Sequence, residues 1–182
     1  MLFRSQAGAL MAYDAATATV VLVGAGITAA GRHFSGTWTW DGTTWTKQRP
    51  APGTSTLEAM AYDAATGTVV LFDLAGHTWT WDGTTWTQQH PATSPPARDG
   101  ASMAYDTATS TAVLFGGYNV NGPGPLADTW TWDGTTWTQQ HPAIGPPARC
   151  CASMAYDTAT SSAVLFGGAG PHGNLGGTWT WG

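Results

Sequence analysis

The sequence predicts an all-β chain: a β-propeller, or part of one, built from about four four-stranded blades, with the last blade short of its outer strand. Three observations carry this expectation. The decamer TWTWDGTTWT stands letter for letter at 37–46, 78–87 and 129–138, and a shortened copy occupies 178–182. The tetrapeptide MAYD recurs at Met11, Met60, Met103 and Met154, in steps of 49, 43 and 51 residues. The composition is rich in Trp (11 residues) and Gly (24) and poor in charge (9%). Repetition every 40 to 50 residues or so is the mark of stacked supersecondary units. Trp, Thr and Gly together favour short strands joined by tight turns.

Each repeat reads in the same order. Strand A is the segment ending in MAYD, apolar and short, followed by a polar turn such as TATS at 107–110. Strand B is the apolar run that follows, TAVLF at 111–115 in the third repeat. A Gly- and Pro-containing loop of variable length then leads to strand C, TWTW, whose strict alternation puts Trp130 and Trp132 on one face and Thr129 and Thr131 on the other. Asp133-Gly134 is a strong hairpin signal, and a two-residue primed turn there would lead directly into strand D, TTWT. A Pro-rich linker closes the unit. Fifteen strands are expected, in repeats spanning approximately 1–52, 53–95, 96–146 and 147–182 of a single domain. A lone blade cannot bury its Trp face, so the Trp residues are expected to pack blade on blade.

The motifs resemble the kelch repeat, found in kelch proteins and in the central domain of galactose oxidase. The resemblance rests on the doublets Gly116-Gly117 and Gly167-Gly168, on Trp132-Asp133, and on Trp137 and Trp181. The PPAR segments at 95–98 and 146–149 resemble the family's Pro-Arg lead-in. The first two repeats depart from it, with Gly24-Ala25 and Asp73-Leu74 in the doublet position. TWDGTTW at 131–137 is also similar to the Asp-box hairpin of sialidase-type propellers, one residue short. Both resemblances imply the same architecture.

Composition narrows the function. Six cations, with Lys47 the single lysine, and a net charge of −5 leave no basic patch for nucleic acid. No run approaches 18 apolar residues, so no membrane-spanning helix is expected. The first residues lack a basic region followed by an apolar one, so no signal peptide is read there; Trp and Thr richness leans slightly towards an extracellular or cell-surface setting. Cys150 and Cys151 are adjacent, a geometry that strains a disulfide, and two free thiols are the simpler reading.

Catalytic readings find no complete set of residues. The run 20–31 holds Gly24 and Gly26, but its third glycine falls at Gly31 and no helix is expected after it, so it is strand B of the first repeat rather than a nucleotide loop. His33, His77 and His172 fall in different loops, while His90 and His141 repeat one position; no metal-ligand spacing appears, and no metal or cofactor is expected. Tyr13, Tyr62, Tyr105 and Tyr156 belong to the repeated MAYD, so the copper site implied by galactose oxidase is not assembled. Glu58 is the single glutamate, and the repeated Asp residues read as turn caps. The expected role is therefore a non-catalytic binding or scaffold module for a protein or glycan. The alternatives are a galactose-oxidase-like or carbohydrate-active domain and a purely structural segment of a larger surface protein. In an up-down blade the B–C and D–A loops share one face, and the B–C loops vary most between repeats. Candidate contacts are Arg32, His33, Phe34, Tyr118, Asn119, Asn121, His172 and Asn174. Exposed blade faces at the ends of an arc would favour a homodimer or the remainder of a larger propeller.

Overall fold

The computed structural model of the chain describes residues 9–27, 33–48 and 56–182, with the backbone alone over 25–27 and 33–35. It is all-β, four antiparallel sheets arranged as the four blades of a propeller, with no helix among the described residues. Blade 1 holds β1 (Ala9–Asp14), β2 (Thr19–Ile27), β3 (His33–Trp40) and β4 (Trp45–Lys47). Blade 2 holds β5 (Leu57–Asp63), β6 (Thr68–Asp73), β7 (Thr78–Trp81) and β8 (Trp86–Gln89). A short strand β9 (Arg98–Asp99) precedes blade 3, which consists of β10 (Ser102–Asp106), β11 (Thr111–Phe115), β13 (Thr129–Trp132) and β14 (Trp137–Gln140). Strand β12 (Tyr118–Asn119) lies in its B–C loop and pairs with β9. Blade 4 has three strands, β15 (Ser153–Asp157), β16 (Ser162–Phe166) and β19 (Thr178–Trp181), with the ribbon β17 (Ala169–Gly170) and β18 (Gly173–Asn174) in its B–C loop. The fifteen blade strands match the expected A-to-D order; the ribbon strands were not expected.

The blades stack through their two unlike faces. Strand A of each packs beside strand A of the next: β1 with β5, β5 with β10, β10 with β15; no comparable packing joins β15 to β1. One face of a blade carries Met and Tyr from strand A, Leu from strand B and all the Trp residues. The other carries Ala, Val, Phe and Thr. Between blades 2 and 3, Met103, Ala112, Leu114, Trp130, Trp132 and Trp137 bury against Ala59, Ala61, Val70 and Phe72. The same pattern joins blade 2 to blade 1 through Met60, Leu71, Trp79, Trp81 and Trp86 against Val21 and Val23.

One polar bond recurs inside this apolar seam. The Trp137 indole N–H donates to the Thr78 hydroxyl of the preceding blade at 2.7 Å, and Trp86 donates to Thr37 at 2.8 Å. A buried indole N–H is usually partnered, and here a threonine on the facing strand supplies the acceptor without introducing charge, whereas the buried strand-C indoles of Trp81 and Trp132 have no partner among the described residues. Trp137 also meets Phe72 edge-on, with centroids 5.9 Å apart, and its strand-C neighbour Trp132 at 5.4 Å. Burying each ring removes on the order of 200 Å² from water, roughly 5 kcal/mol before ordering costs.

The C–D turn differs from the expected two-residue hairpin. Trp132 pairs with Trp137, so the loop is the four residues Asp133 to Thr136, and strand D begins at Trp137. The reason is the aspartate side chain. Asp133 Oδ1 accepts from the Thr135 N–H, the Thr135 hydroxyl and the Thr136 N–H, at 2.8–2.9 Å, which turns both threonines into cap residues. Only Gly134 needs positive φ (97°). Asp41 and Asp82 make the same set. Asp14, Asp63, Asp106 and Asp157 accept from backbone N–H groups of the A–B turns in the same manner. In the first repeat the B–C segment is no open loop: β2 and β3 continue their pairing out to Ile27 and His33.

Trp137→Ala should lower unfolding stability by about 3–5 kcal/mol in urea titration. Trp137→Phe, which keeps a ring but removes the donor to Thr78, should cost clearly less.

Candidate functional site

The face carrying the B–C and D–A segments is knitted by backbone bonds rather than left as free loops. In blade 3, Gly116-Gly117 turns the chain with φ of 64° and 98°. The Gly117 N–H donates to the Arg149 carbonyl of the next lead-in at 2.9 Å, and the Leu126 N–H donates to the Gly117 carbonyl at 2.7 Å. A Cβ on Gly116 would lie 2.4 Å from the Arg149 carbonyl oxygen, so only glycine admits the lead-in this close. The Arg149 N–H in turn donates to the Leu126 carbonyl at 3.0 Å, closing a circuit between two repeats.

The lead-in arginines are internal staples. Arg98 is fully buried; its guanidinium donates to the Gly116 carbonyl and, through two nitrogens at 2.8 Å each, to both oxygens of Asp128. This is the fork-on-fork pairing that favours arginine over lysine. The pair holds the Asp128 carboxyl below the usual carboxylate range against the opposing effect of its own burial. Arg149 reaches the Gly167 carbonyl at 2.7 Å and the Pro147 carbonyl at 3.1 Å, but the position equivalent to Asp128 in its repeat is Gly177. Neither arginine is available to a ligand.

Between the third and fourth repeats these segments border an open pocket of about 310 Å³, lined by Asn119, Pro123, Gly124, Pro125, Leu126, Ala148 and Pro171. Asn119 reaches it from β12; the amide N–H of Asn121 donates to its Oδ1 at 2.9 Å and so orients the Asn119 side chain. Tyr118, exposed, stands beside Asn119. His172 and Asn174, both exposed, sit on the β17–β18 hairpin, directly after the Pro171 wall. The structure therefore brings Asn119 to the pocket, with Tyr118 and Asn121 adjacent in the same loop and His172 and Asn174 on the next. His33 and Phe34 are in strand β3 rather than in a loop, with backbone alone described, and Arg32 lies outside the described residues.

Sequence reasoning passed over a second group on the same face. Glu58 precedes the core of β5 where a bulge interrupts the ladder, and its Oε2 accepts the Gly100 N–H at 2.6 Å. Burial pushes its carboxyl up to about 7, and the charges of Asp99 and Asp73 add to the rise against that hydrogen bond. Nearby, the Cys151 thiol donates to Cys150 Sγ at 3.3 Å, and both cysteines are free. Enclosure pushes the Cys151 thiol up to about 12, with the Cys150 sulfur contributing, which leaves no thiolate for nucleophilic chemistry near neutrality. No signal in the sequence marked Glu58, because its environment comes from Asp73 on the neighbouring strand β6 and from Asp99 and Gly100, some 40 positions away.

Among the described residues no group of three or more His, Cys, Asp or Glu side chains is placed to hold a metal ion. His77 sits over its own turn, Nδ1 3.1 Å from Asp73 Oδ2, while the Trp79 indole donates to the same oxygen. No described helix is long and apolar enough to cross a membrane.

No protein-family model matches the chain, and no curated protein matches it. Among solved structures, a fucose lectin from Kordia zhangzhouensis, determined in complex with methyl-fucoside, is similar at 15% identity and a TM-score of 0.44, over 76% of this chain and all of the lectin chain.

Two measurements check this picture. Arg98→Ala strands the Asp128 carboxylate and should cost about 3–5 kcal/mol of stability, whereas Arg149→Ala, with no carboxylate partner, should cost less. For Glu58 the folded-state carboxyl lies above its unfolded value of 4.5, so its contribution is complete below about 4.5 and is lost as pH rises through about 7. Glu58→Gln should flatten the fall in melting temperature across that window.

Proposed function

We propose that the chain is a non-catalytic binding module of kelch-like blades that takes a neutral glycan on its B–C/D–A face. Tyr118, Asn119, Asn121, His172 and Asn174 are its contacts, and Arg32, His33 and Phe34 are the contribution of the first repeat. The observation that supports this most is the pocket shared by the third and fourth repeats. Its walls are proline, glycine and aliphatic groups, its one side-chain amide is held in place by a neighbouring N–H, and it lies where the repeats differ. About 310 Å³ is at the lower end of the range for small-ligand sites. Amide and phenol groups offer donors and acceptors to hydroxyls, and no free cation lines the pocket to select an acid.

The repeated carboxylates support a non-catalytic role, because each is occupied in its own turn. Glu58 is the exception, a carboxyl raised by burial to about 7, with Asp99 and Asp73 beside it adding to the rise while the Gly100 N–H holds it in place. A protein ligand is the second reading, favoured by exposed Val120 next to Tyr118. It would need a footprint of about 800 Å² and hence the neighbouring loops as well.

Calorimetric titration with a panel of neutral mono- and oligosaccharides tests the reading. Tyr118→Ala and Asn119→Ala should each weaken the best binder by about tenfold or more while leaving the melting temperature in place. Binding untouched by both substitutions would remove this pocket as the site.

A further inference from the structure

The two ends of the blade stack present two unlike apolar faces that are exposed where their counterparts in the other blades are buried. Among the described residues none packs over the Trp-bearing face of blade 1: Met11 is 61% exposed and Tyr13 58%, while the equivalent Met60 and Met103 are 9% and 8% exposed. Trp45 is 43% exposed, against 5% and 1% for Trp86 and Trp137. Among the described residues none packs over the receiving face of blade 4: Phe166 is 59% exposed, against 0% and 4% for Phe72 and Phe115. Ala155 and Thr178 on that face are exposed, while Ala61, Ala104, Thr78 and Thr129 are buried.

The contacts these residues would make are already written twice in the chain. Trp86 donates to Thr37 and Trp137 to Thr78, each a strand-D Trp reaching the first strand-C Thr of the neighbouring blade. Trp45 and Thr178 hold these same two positions, one at each end. Phe166 is the counterpart of Phe72, the ring against which Trp137 stands edge-on at 5.9 Å. Neither end face carries a charged side chain at its centre, so nothing repels the approach. Lys47, where later repeats have Gln88 and Gln139, has its ammonium 5.8 Å from the Trp38 ring centroid at the rim and can swing aside.

We propose that these two faces bind each other between copies of this chain, the Met11–Tyr13–Trp38–Trp45 face of one copy docking on the Ala155–Val164–Phe166–Thr178 face of a second. The contact is head to tail: each copy offers two different surfaces, and the interface continues the blade packing across the chain boundary. Such heterologous contacts close into a ring or extend into a row according to the rotation between copies. The large apolar areas left open at both ends are of the kind that marks an interaction surface.

Light scattering and sedimentation of the whole chain test this. The wild-type chain is expected to show a mass above that of one 18.9 kDa chain, rising with concentration. Met11→Asp and Phe166→Asp each spoil one of the two faces. Each variant alone should be monomeric, and an equimolar mixture at the same total concentration should regain a two-chain species through the one intact pair of faces. Far-UV and near-UV circular dichroism verifies folding, and Thr178→Arg, which keeps the apolar residues, serves in place of Phe166→Asp if that variant unfolds. A wild-type chain that stays monomeric at all concentrations would overturn the proposal. So would an oligomer indifferent to these substitutions, or a mixture that fails to assemble.

Discussion

The structure depends on one contact: a strand-D tryptophan laid on the Ala-Val-Phe face of the preceding blade, its indole N–H held by a threonine hydroxyl. A four-stranded sheet of fewer than 40 residues has one apolar face too many to survive in water. The repeat resolves this by making the two faces of every blade complementary to each other rather than to a separate layer. Stability then accumulates seam by seam, as in a one-dimensional stack. The letter-for-letter decamer follows from that arrangement, since each copy must fit the same neighbour. Its Thr residues are as necessary as its Trp residues: the first is a hydrogen-bond acceptor in the next seam, and the two that follow Asp-Gly cap the turn.

Because the seams carry the fold, the opposite ends of the strands are free to differ. The B–C and D–A segments are nevertheless not loose. The Gly116-Gly117 doublet and a circuit of backbone bonds fasten the 146–149 lead-in to the blade before it, and the buried Arg98–Asp128 pair fastens the 95–98 lead-in to its own blade. A pocket built this way is largely set before any ligand arrives, which lowers the ordering cost of binding. The scaffold and the variable face are thus linked through backbone groups, so side chains such as Tyr118 and Asn119 can change without disturbing a seam.

Much of this was legible in the sequence because it is periodic. Alternation in TWTW assigns faces, and the MAYD step assigns blades. Asp in a repeated turn reads as a cap, and the structure places all seven repeated Asp residues in that role. What escaped is what periodicity does not encode. The C–D loop is four residues long because an aspartate side chain outcompetes the two-residue turn that Asp-Gly suggests. The first B–C segment pairs out to Ile27 and His33 although its glycines suggest a loop. Glu58 acquires its environment from Gly100 and Asp99 in the next repeat, and the partner of Arg98 lies 30 residues downstream, in a segment whose length varies. Each of these is a non-local meeting of unrepeated residues.

The paired indoles have an optical consequence. In each complete blade the strand-C and strand-D rings lie 5.4–5.5 Å apart and tilted by about 40°: Trp40 with Trp45, Trp81 with Trp86, Trp132 with Trp137. Two identical chromophores held this close and skewed share their excitation, and a skewed pair rotates polarised light in a way a single indole does not. The pair exists only while the C–D hairpin is closed. A coupled indole band in the near- and far-UV circular dichroism is therefore a direct signal of closure of these three hairpins, separate from the peptide signal of the strands.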